Sequence, residues 1–543
     1  MRKKILSALL ALMLIFSVST TSLAETAVSG GESAKISKDD AKKTALQTLK
    51  NHFEMEIDEK KYETRVEYRP DYEIEAAREY VWEISYQYND NNNNEFIQVS
   101  INANTGKVIR VNKHQFGYGP DQTPKVSTIT EEQAKGICEK FINKINPQEI
   151  KSTQYVQEPM YDYGYPGRLP IFNFRYVRLV NGLKFDRNYI VVGVNGSTGK
   201  VENYSCRWDE LKDVPAATGV IDGAKALEAF RSNTPLITQY IPVRNKFDYG
   251  QQPQNVKIVY AADFSKGNIV DAKDGKMLDY SGKAVTDLKV KDLTEKEKED
   301  LLKSAVPVEK SSKEIDKTKA ESIVKEKINE IFGSGYEIES MSYMENNQMW
   351  ESRGRNVWNA QFVKKGSDYR SDDRGQITLE ATTGELIAVD RYMMGDGMVE
   401  ENFQPKITWD EAYNKALKAA AKYFPSKIKD IKTEQVFRDQ YYYYNDKKIL
   451  NRMYNFSFQR TVNGIPYNDN AIFVEYDAKT GEMRGIRCIW DDKVQFPDTK
   501  GILSKKDAEK IYFETNSPEL VYTYVEKAGT SKQEVEMKLV YRL

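Results

Sequence analysis

Ile129-Thr130-Glu131-Glu132-Gln133-Ala134 reads as the start of a helix, and its recurrence along the chain sets the architecture. It runs from an aliphatic residue through a hydroxyl, two variable positions and a polar residue to alanine. The Thr130 side chain can accept from an orphan backbone N–H of a first helical turn, and Gln133 can reach back to the cap, which makes a capping box. Ile129 and Ala134 stand at the two ends of a hydrophobic staple. Downstream, Ile137, Cys138, Phe141, Ile142 and Ile145 continue one apolar stripe at helical spacing. The same cassette occurs six times. The other copies are Ile36-Ser37…Asp40-Ala41, Ile221-Asp222…Lys225-Ala226, Ile315-Asp316…Lys319-Ala320, Ile407-Thr408…Glu411-Ala412 and Leu503-Ser504…Asp507-Ala508. Their caps are 92 to 96 residues apart. A fixed period sets the architecture before any single motif does.

A second element recurs after the helices. A strand ends in an acidic or amide residue, and Thr-Gly or Asp-Gly follows three residues on. The copies are Asn102…Thr105-Gly106, Asn195…Thr198-Gly199, Asp271…Asp274-Gly275, Glu380…Thr383-Gly384 and Asp477…Thr480-Gly481. Glycine supplies the positive φ of a tight hairpin loop, and an Asn or Asp side chain can close the turn onto its own backbone. No helix follows these glycines, so they are not phosphate loops, and the acids lack the spacing of a calcium loop. Each unit therefore reads as one helix packed on a small antiparallel sheet, an α+β layer pair.

The units group in threes. Asn181-Gly182 matches Asn463-Gly464, Cys206 and Trp208-Asp209 match Cys488 and Trp490-Asp491, and Lys257…Tyr260 matches Lys538…Tyr541. The expected layout is a leader at 1–24, modules at 34–119, 125–213 and 218–282, a charged linker at 283–312, and modules at 313–398, 404–497 and 500–543. These form two homologous halves of a tandem α+β array. The linker is expected to be solvated, with a short charged helix around 294–304 and halves that move relative to one another. By the repeat, the sixth unit's turn glycine would fall beyond Leu543, so module 500–543 is expected to be truncated. Either the sequence continues or the last sheet keeps an open edge. The first is preferred because an open hydrophobic edge invites aggregation.

Residues 1–24 have the pattern of a secretory signal peptide: Arg2, Lys3 and Lys4, an apolar run from Ile5 to Val18, then Ser22-Leu23-Ala24 for cleavage after Ala24. The mature chain is expected to be secreted, extracellular or associated with the cell wall, without a transmembrane segment. Without the leader it carries 77 Lys and Arg against 81 Asp and Glu. That balance gives no case for nucleic acid, which needs a basic stripe. Three cysteines make no disulfide framework; Cys206 and Cys488 read as one repeated core position and Cys138 as a helix core residue. There are 35 tyrosines, with clusters at Tyr441 to Tyr444 and at Tyr161, Tyr163 and Tyr165. They fit half-buried strands, and also stacking on sugar rings.

Chemistry is hard to find. His52 and His114 are the only histidines, and neither lies in a zinc motif. No nucleophile elbow, P-loop or dinucleotide fingerprint occurs. No catalytic, metal or cofactor-binding residue is assigned, no cofactor is expected, and the chain reads as a non-enzyme. The helix cassette with the strand-Asp-Ala-x-Thr-Gly-strand turn resembles the PepSY domain, a cystatin-like fold. The two halves, each with its Trp-Asp pair, resemble the YcdB/YcdC repeated-domain family of secreted bacterial proteins. The resemblance implies small exported α+β modules for which peptidase regulation has been proposed, and it brings no catalytic residues. The leading expectation is a non-catalytic envelope protein that binds peptides or proteins, a peptidase among them. The alternatives are a wall-associated spacer that holds polysaccharide and, more weakly, an envelope hydrolase with paired carboxylates.

Overall fold

A computed structural model describes residues 34–71, 80–89, 93–117, 126–157, 170–244, 252–253, 255–285, 288–303, 313–365, 373–393, 403–436, 441–444, 447–527 and 534–543. The leader, residues 90–92 of the asparagine-rich loop, and Tyr161, Tyr163 and Tyr165 lie outside them.

Each cassette starts a helix. The first unit holds α1 (Lys38–Phe53) and β1 (Glu63–Pro70), β2 (Tyr80–Asn89), β3 (Asn93–Asn102) and β4 (Val108–Gly117). The second holds α2 (Glu131–Ile145) and β5 (Thr153–Val156), β6 (Ile171–Val180), β7 (Leu183–Asn195) and β8 (Val201–Arg207). The third holds α3 (Gly223–Asn233) and β9 (Leu236–Val243), β10 (Asn255–Ala262), β11 (Ile269–Asp271) and β12 (Met277–Leu278). Then come β13 (Leu288–Val290) and α4 (Glu295–Leu302). The fourth unit holds α5 (Lys317–Phe332) and β14 (Tyr336–Met344), β15 (Val357–Lys364), β16 (Asp373–Glu380) and β17 (Leu386–Met393). The fifth holds α6 (Trp409–Tyr423), β18 (Ile431–Lys432), β19 (Gln435–Val436), β20 (Tyr441–Tyr444), β21 (Lys447–Leu450), β22 (Met453–Val462), β23 (Ile465–Asp477) and β24 (Met483–Ile489). The sixth holds α7 (Lys505–Thr515), β25 (Glu519–Glu526) and β26 (Val535–Arg542).

The caps form as their chemistry requires. All six cap side chains accept from the backbone N–H three residues on. Full capping boxes close at Thr130/Gln133 and Thr408/Glu411. At Ser37/Asp40 and Ser504/Asp507 the aspartate takes the serine hydroxyl instead, at 2.6 Å; its side chain is one methylene shorter. The recurrent turns close as Asx turns, or a Glu version. Asn102 Oδ1 accepts from Asn104 and Thr105 N–H, Asn195 Oδ1 from Ser197 and Thr198, and Glu380 Oε2 from Thr382 and Thr383. Each turn ties to the start of its unit's helix: Ile36 N–H donates to Ala103, Ile221 to Ala272 and Ile315 to Ala381.

Sheets of neighbouring units fuse. β4 pairs with β8 at Val111↔Tyr204, and β17 pairs with β24 at Val389↔Ile486. The two halves then exchange strands. In one sheet the order is β1-β2-β3-β4-β8-β7-β25-β26-β11-β12, with β6 on the other side of β7 and β5 on β6; in the other it is β10-β9-β23-β24-β17-β16-β15-β14, with β22 on β23 and β18 on β22. Hairpin β25–β26 of the sixth unit thus completes the N-terminal sheet, and hairpin β9–β10 of the third unit joins the C-terminal one. The edge that the sequence leaves open at β26 is covered by β11 from the third unit. Helix α3 packs Ala226 and Phe230 against Val270, Tyr522, Leu539 and Tyr541, a core drawn from both ends of the chain.

The charged linker also differs from the solvated segment expected. Its helix forms, but Val290, Leu293, Leu301 and Leu302 pack on the C-terminal core. Lys298 is buried, with its ammonium on the Ile431 carbonyl at 2.8 Å. Asp292 accepts from the Thr433 N–H and hydroxyl, and β13 pairs with β19. Docked linker and exchanged hairpins join two halves that the linker's composition suggested would move relative to one another.

Candidate functional site

The exchange depends on a local defect built into β7 and β23. Along β6–β7 the register runs to Val177↔Tyr189 and resumes at Arg178↔Phe185, which leaves Asp186-Arg187-Asn188 as a bulge. Along β22–β23 it breaks between Gln459↔Ala471 and Arg460↔Tyr467, which leaves Asn468-Asp469-Asn470. A bulge bends and re-aims a strand. Beyond it, β7 takes β25 in parallel at Phe185↔Tyr522, and β23 takes β9 at Tyr467↔Tyr240.

Each bulge is clamped by a buried polar knot. Asn188 Nδ2 donates to Asp209 Oδ2 (2.7 Å), and Asn188 Oδ1 accepts from the Asp209 N–H (3.0 Å) and from Arg178 Nη1 (2.9 Å). Arg178 also donates to the Asp209 carbonyl and lies over the Trp208 ring. The twin repeats this atom for atom. Asn470 donates to Asp491 (2.8 Å) and accepts from the Asp491 N–H (2.9 Å) and Arg460 (3.0 Å), and Arg460 covers Trp490. The Trp-Asp pairs are therefore bulge clamps.

The twins differ in what surrounds the acid. Asp491 is fully buried, accepts from the Tyr467 hydroxyl (2.9 Å), and has Arg353 Nε 3.6 Å and Arg244 Nη2 3.9 Å away. Arg353 also donates to Asp469 Oδ2 (2.8 Å), which Arg244 pairs with as well. Burial pushes the Asp491 carboxyl above the usual carboxylate range, against the pull of Arg353, Asn470 and Tyr467, and pushes the Arg353 guanidinium below its usual range. In the N-terminal half Phe185 stands where Tyr467 does, and the neighbouring hydroxyl comes from Tyr524 of β25, whose pKa is raised by burial and then by Asp209. These groups bond chiefly to one another and hold strands, although Asp491 Oδ1 and Arg460 Nε are buried without a hydrogen-bond partner among the described residues.

Residues singled out for chemistry are not brought together. His52 ends α1, its pKa lowered by burial and by Lys144, while His114 lies exposed on β4. Cys138, Cys206 and Cys488 are buried free thiols, and burial pushes all three up to about 12. Among the described residues no group of three or more His, Cys, Asp or Glu is placed to hold a metal ion, and no helix is long and apolar enough to cross a membrane. Tyr441 is half-exposed on β20 and lines, with Tyr280, a cleft of about 1090 Å³ beside β26.

Against known proteins, the family model described as "YcdB, YcdC repeated domain" matches residues 58–208 and 313–488. The chain belongs to the YcdB/YcdC repeated-domain family. The two matched regions of this YcdB/YcdC chain span the first two units of each half, except that the first begins after α1, and each stops just short of Asp209 or Asp491. The exchanged third and sixth units lie outside both. Among solved structures, the Bacillus megaterium YpeB C-terminal domain is similar at 11% identity, over 67% of this chain and 100% of that one, with a TM-score of 0.25. A search of curated proteins finds no significant match.

Arg178 and Arg460 open the matching stretches Arg178-Leu-Val-Asn181-Gly182 and Arg460-Thr-Val-Asn463-Gly464, but their role in the knot, and Asn188 and Asn470 altogether, were not legible there. Their signal was present: Arg178/Arg460 and Asn188/Asn470 recur at the same 282-residue spacing as the Trp-Asp pairs. Isolated polar residues within strands show no periodicity, so a sequence match between the halves carries no sign of which polar side chains meet.

Proposed function

We propose that this YcdB/YcdC-family chain is an exported, non-catalytic protein that captures extended segments of envelope or secreted proteins at its sheet edges, with peptidases or their substrates as the partners to test first. The observation that carries this reading is the chain's own strand addition. Parallel at β7–β25 and β9–β23, antiparallel at β11–β26, its sheets take up strands from remote parts of the sequence. Main-chain bonding at an edge with side chains read in alternate pockets is a general mode of peptide recognition. The signal-peptide pattern at 1–24 supports export.

The test uses the chain from residue 25 as bait against the envelope and secreted fractions of the producing cell, with mass spectrometry as readout and peptidase inhibition as the second assay. A specific partner captured through an extended segment supports the reading. Failure to bind or inhibit any envelope peptidase or peptide library would sink it. A second reading, polysaccharide holding, draws on Tyr280 and Tyr441, 71% and 50% exposed on one cleft. It predicts sedimentation with purified cell wall that Tyr280→Ala with Tyr441→Ala abolishes.

A further inference from the structure

Each half sets two helices on one face of its sheet, α1 with α2 and α5 with α6. The repeat matches the pairs position by position, from the caps Ser37 and Thr130 against Asp316 and Thr408. Each pair is tied at the same place. Lys144 Nζ donates to the Asn51 carbonyl (2.6 Å), and Lys422 Nζ meets Glu330 Oε1 (2.6 Å). In the N-terminal half Phe141 plugs the space between the helices. It is 7% exposed and sets its ring edge-on to Phe53 (5.1 Å) and Tyr204 (5.7 Å). Lys200 and Glu54, 3.5 Å apart, bridge the end of α1 to the neighbouring turn.

The C-terminal pair lacks both fillings. Ala419 stands at the place of Phe141 and Gly333 at that of Glu54, while Phe332 keeps the place of Phe53. A cleft of about 460 Å³ lies between α5 and α6, walled by Phe332, Ala419, Tyr423, Tyr476 and Met483. That volume is in the range of ligand pockets. Arg391 of β17, 8% exposed, lines the cleft and lies 5.5 Å from the Phe332 ring. Lys415, Lys418 and Lys422 stand exposed along its α6 side; the twin has Ile137 at the position of Lys415. Lys422 pairs with Glu330 and Arg391 with Glu482. Neither Lys415 nor Lys418 forms an ion pair among the described residues, so the cations on the cleft outnumber its carboxylates.

We propose that this cleft binds an acidic segment of a partner protein through one aromatic side chain, a phenylalanine flanked by carboxylates. The ring takes the place that Phe141 fills in the twin, against Phe332, and the carboxylates meet Lys415 and Lys418. The twin supplies the chemistry of the anchor, and the unbalanced lysines supply the charge of its flanks. An aromatic ring in a desolvated pocket concentrates binding energy, and the charged rim sets partner choice and on-rate. The site is a groove between helices and is independent of the sheet edges.

The probe is a fluorescent five-residue peptide, one phenylalanine with two glutamates on each side, titrated into the full chain by anisotropy. Saturable one-to-one binding with a Kd below about 1 mM is expected. Alanine in place of the peptide's phenylalanine weakens it about tenfold or more, and Lys418→Glu in the protein about five- to tenfold. Ala419→Phe, which refills the cleft as the twin does, abolishes binding while the circular dichroism of the chain stays unchanged. Should that variant not fold, Lys418→Glu and the alanine peptide carry the test. A photo-reactive benzoylphenylalanine in the peptide is expected to crosslink to Tyr423 or Met483. The inference is overturned by no binding to the parent chain, by equal affinity for the alanine peptide, by undiminished binding to folded Ala419→Phe, or by crosslinks elsewhere. Concentration-dependent self-association that Ala419→Phe abolishes also overturns it, in favour of a second copy as occupant. Capture of envelope partners at a sheet edge while this peptide fails leaves the broader function standing and removes this site.

Discussion

At the scale of single residues, the strongest forces sit where charge has been taken out of water. Asp491 is held by Asn470 and Tyr467 and faces Arg353, itself buried. Removing one partner of a buried ion pair leaves the other uncompensated. Asp491→Ala is therefore expected to destabilise the chain by about 3–5 kcal/mol in denaturant unfolding, and Asp209→Ala, whose twin knot lacks the added arginine pair Arg244/Arg353, by clearly less. Equal losses would refute the ranking. Asp390 gives a pH signature. It sits on the β17–β24 seam against Gly485, and burial raises its pKa from 3.8 to about 6 despite Arg487. The folded chain thus holds this proton more tightly than the unfolded chain. The stability it confers is full below pH 4 and is lost as pH rises through 6. An Asp390→Asn variant should gain on the parent by up to about 3 kcal/mol between pH 4 and 6.5. A difference that is flat with pH would refute it.

At the scale of elements, the repeat lets one half serve as the control for the other. Ile221 and Leu503 hold the same place before their helices, but only Ile221 seats a turn. Ile221→Ala should cost about 1–2 kcal/mol and Leu503→Ala less than about 0.5 kcal/mol. Equal costs in thermal unfolding would refute the difference. Helix starts and turns were legible in the sequence because their cause is local: a cap oxygen three residues from its N–H, a glycine at positive φ, an Asn, Asp or Glu folded onto the next turn. The strand exchange was not. The hairpins β9–β10 and β25–β26 have the same length and alternation as hairpins that stay with their own unit, and nothing within eight residues says which sheet a strand will join. The linker helix was legible from Thr294 and Glu297, but its docking through Leu301, Leu302 and Lys298 was hidden by the surrounding charge.

At the scale of the whole molecule, two halves that read as separable in sequence share both of their large sheets. Residues 34–282 alone lack β25 and β26, and 313–543 alone lacks β9 and β10. Each should be insoluble or self-associating when expressed singly, and the two should copurify as a one-to-one complex when coexpressed, by size-exclusion chromatography with light scattering. Well-behaved separate monomers would refute the coupling. The exchange also imposes an order in time. Tyr541 meets Ile221 across 320 residues of chain. At a synthesis rate of about 5–20 residues per second, α3 waits ~15–60 s for the strands that cover it. The N-terminal half therefore emerges from the ribosome unfinished, with its β7 edge uncovered, and how long it stays exposed to misassembly is set by the pace of translation rather than by its own folding rate.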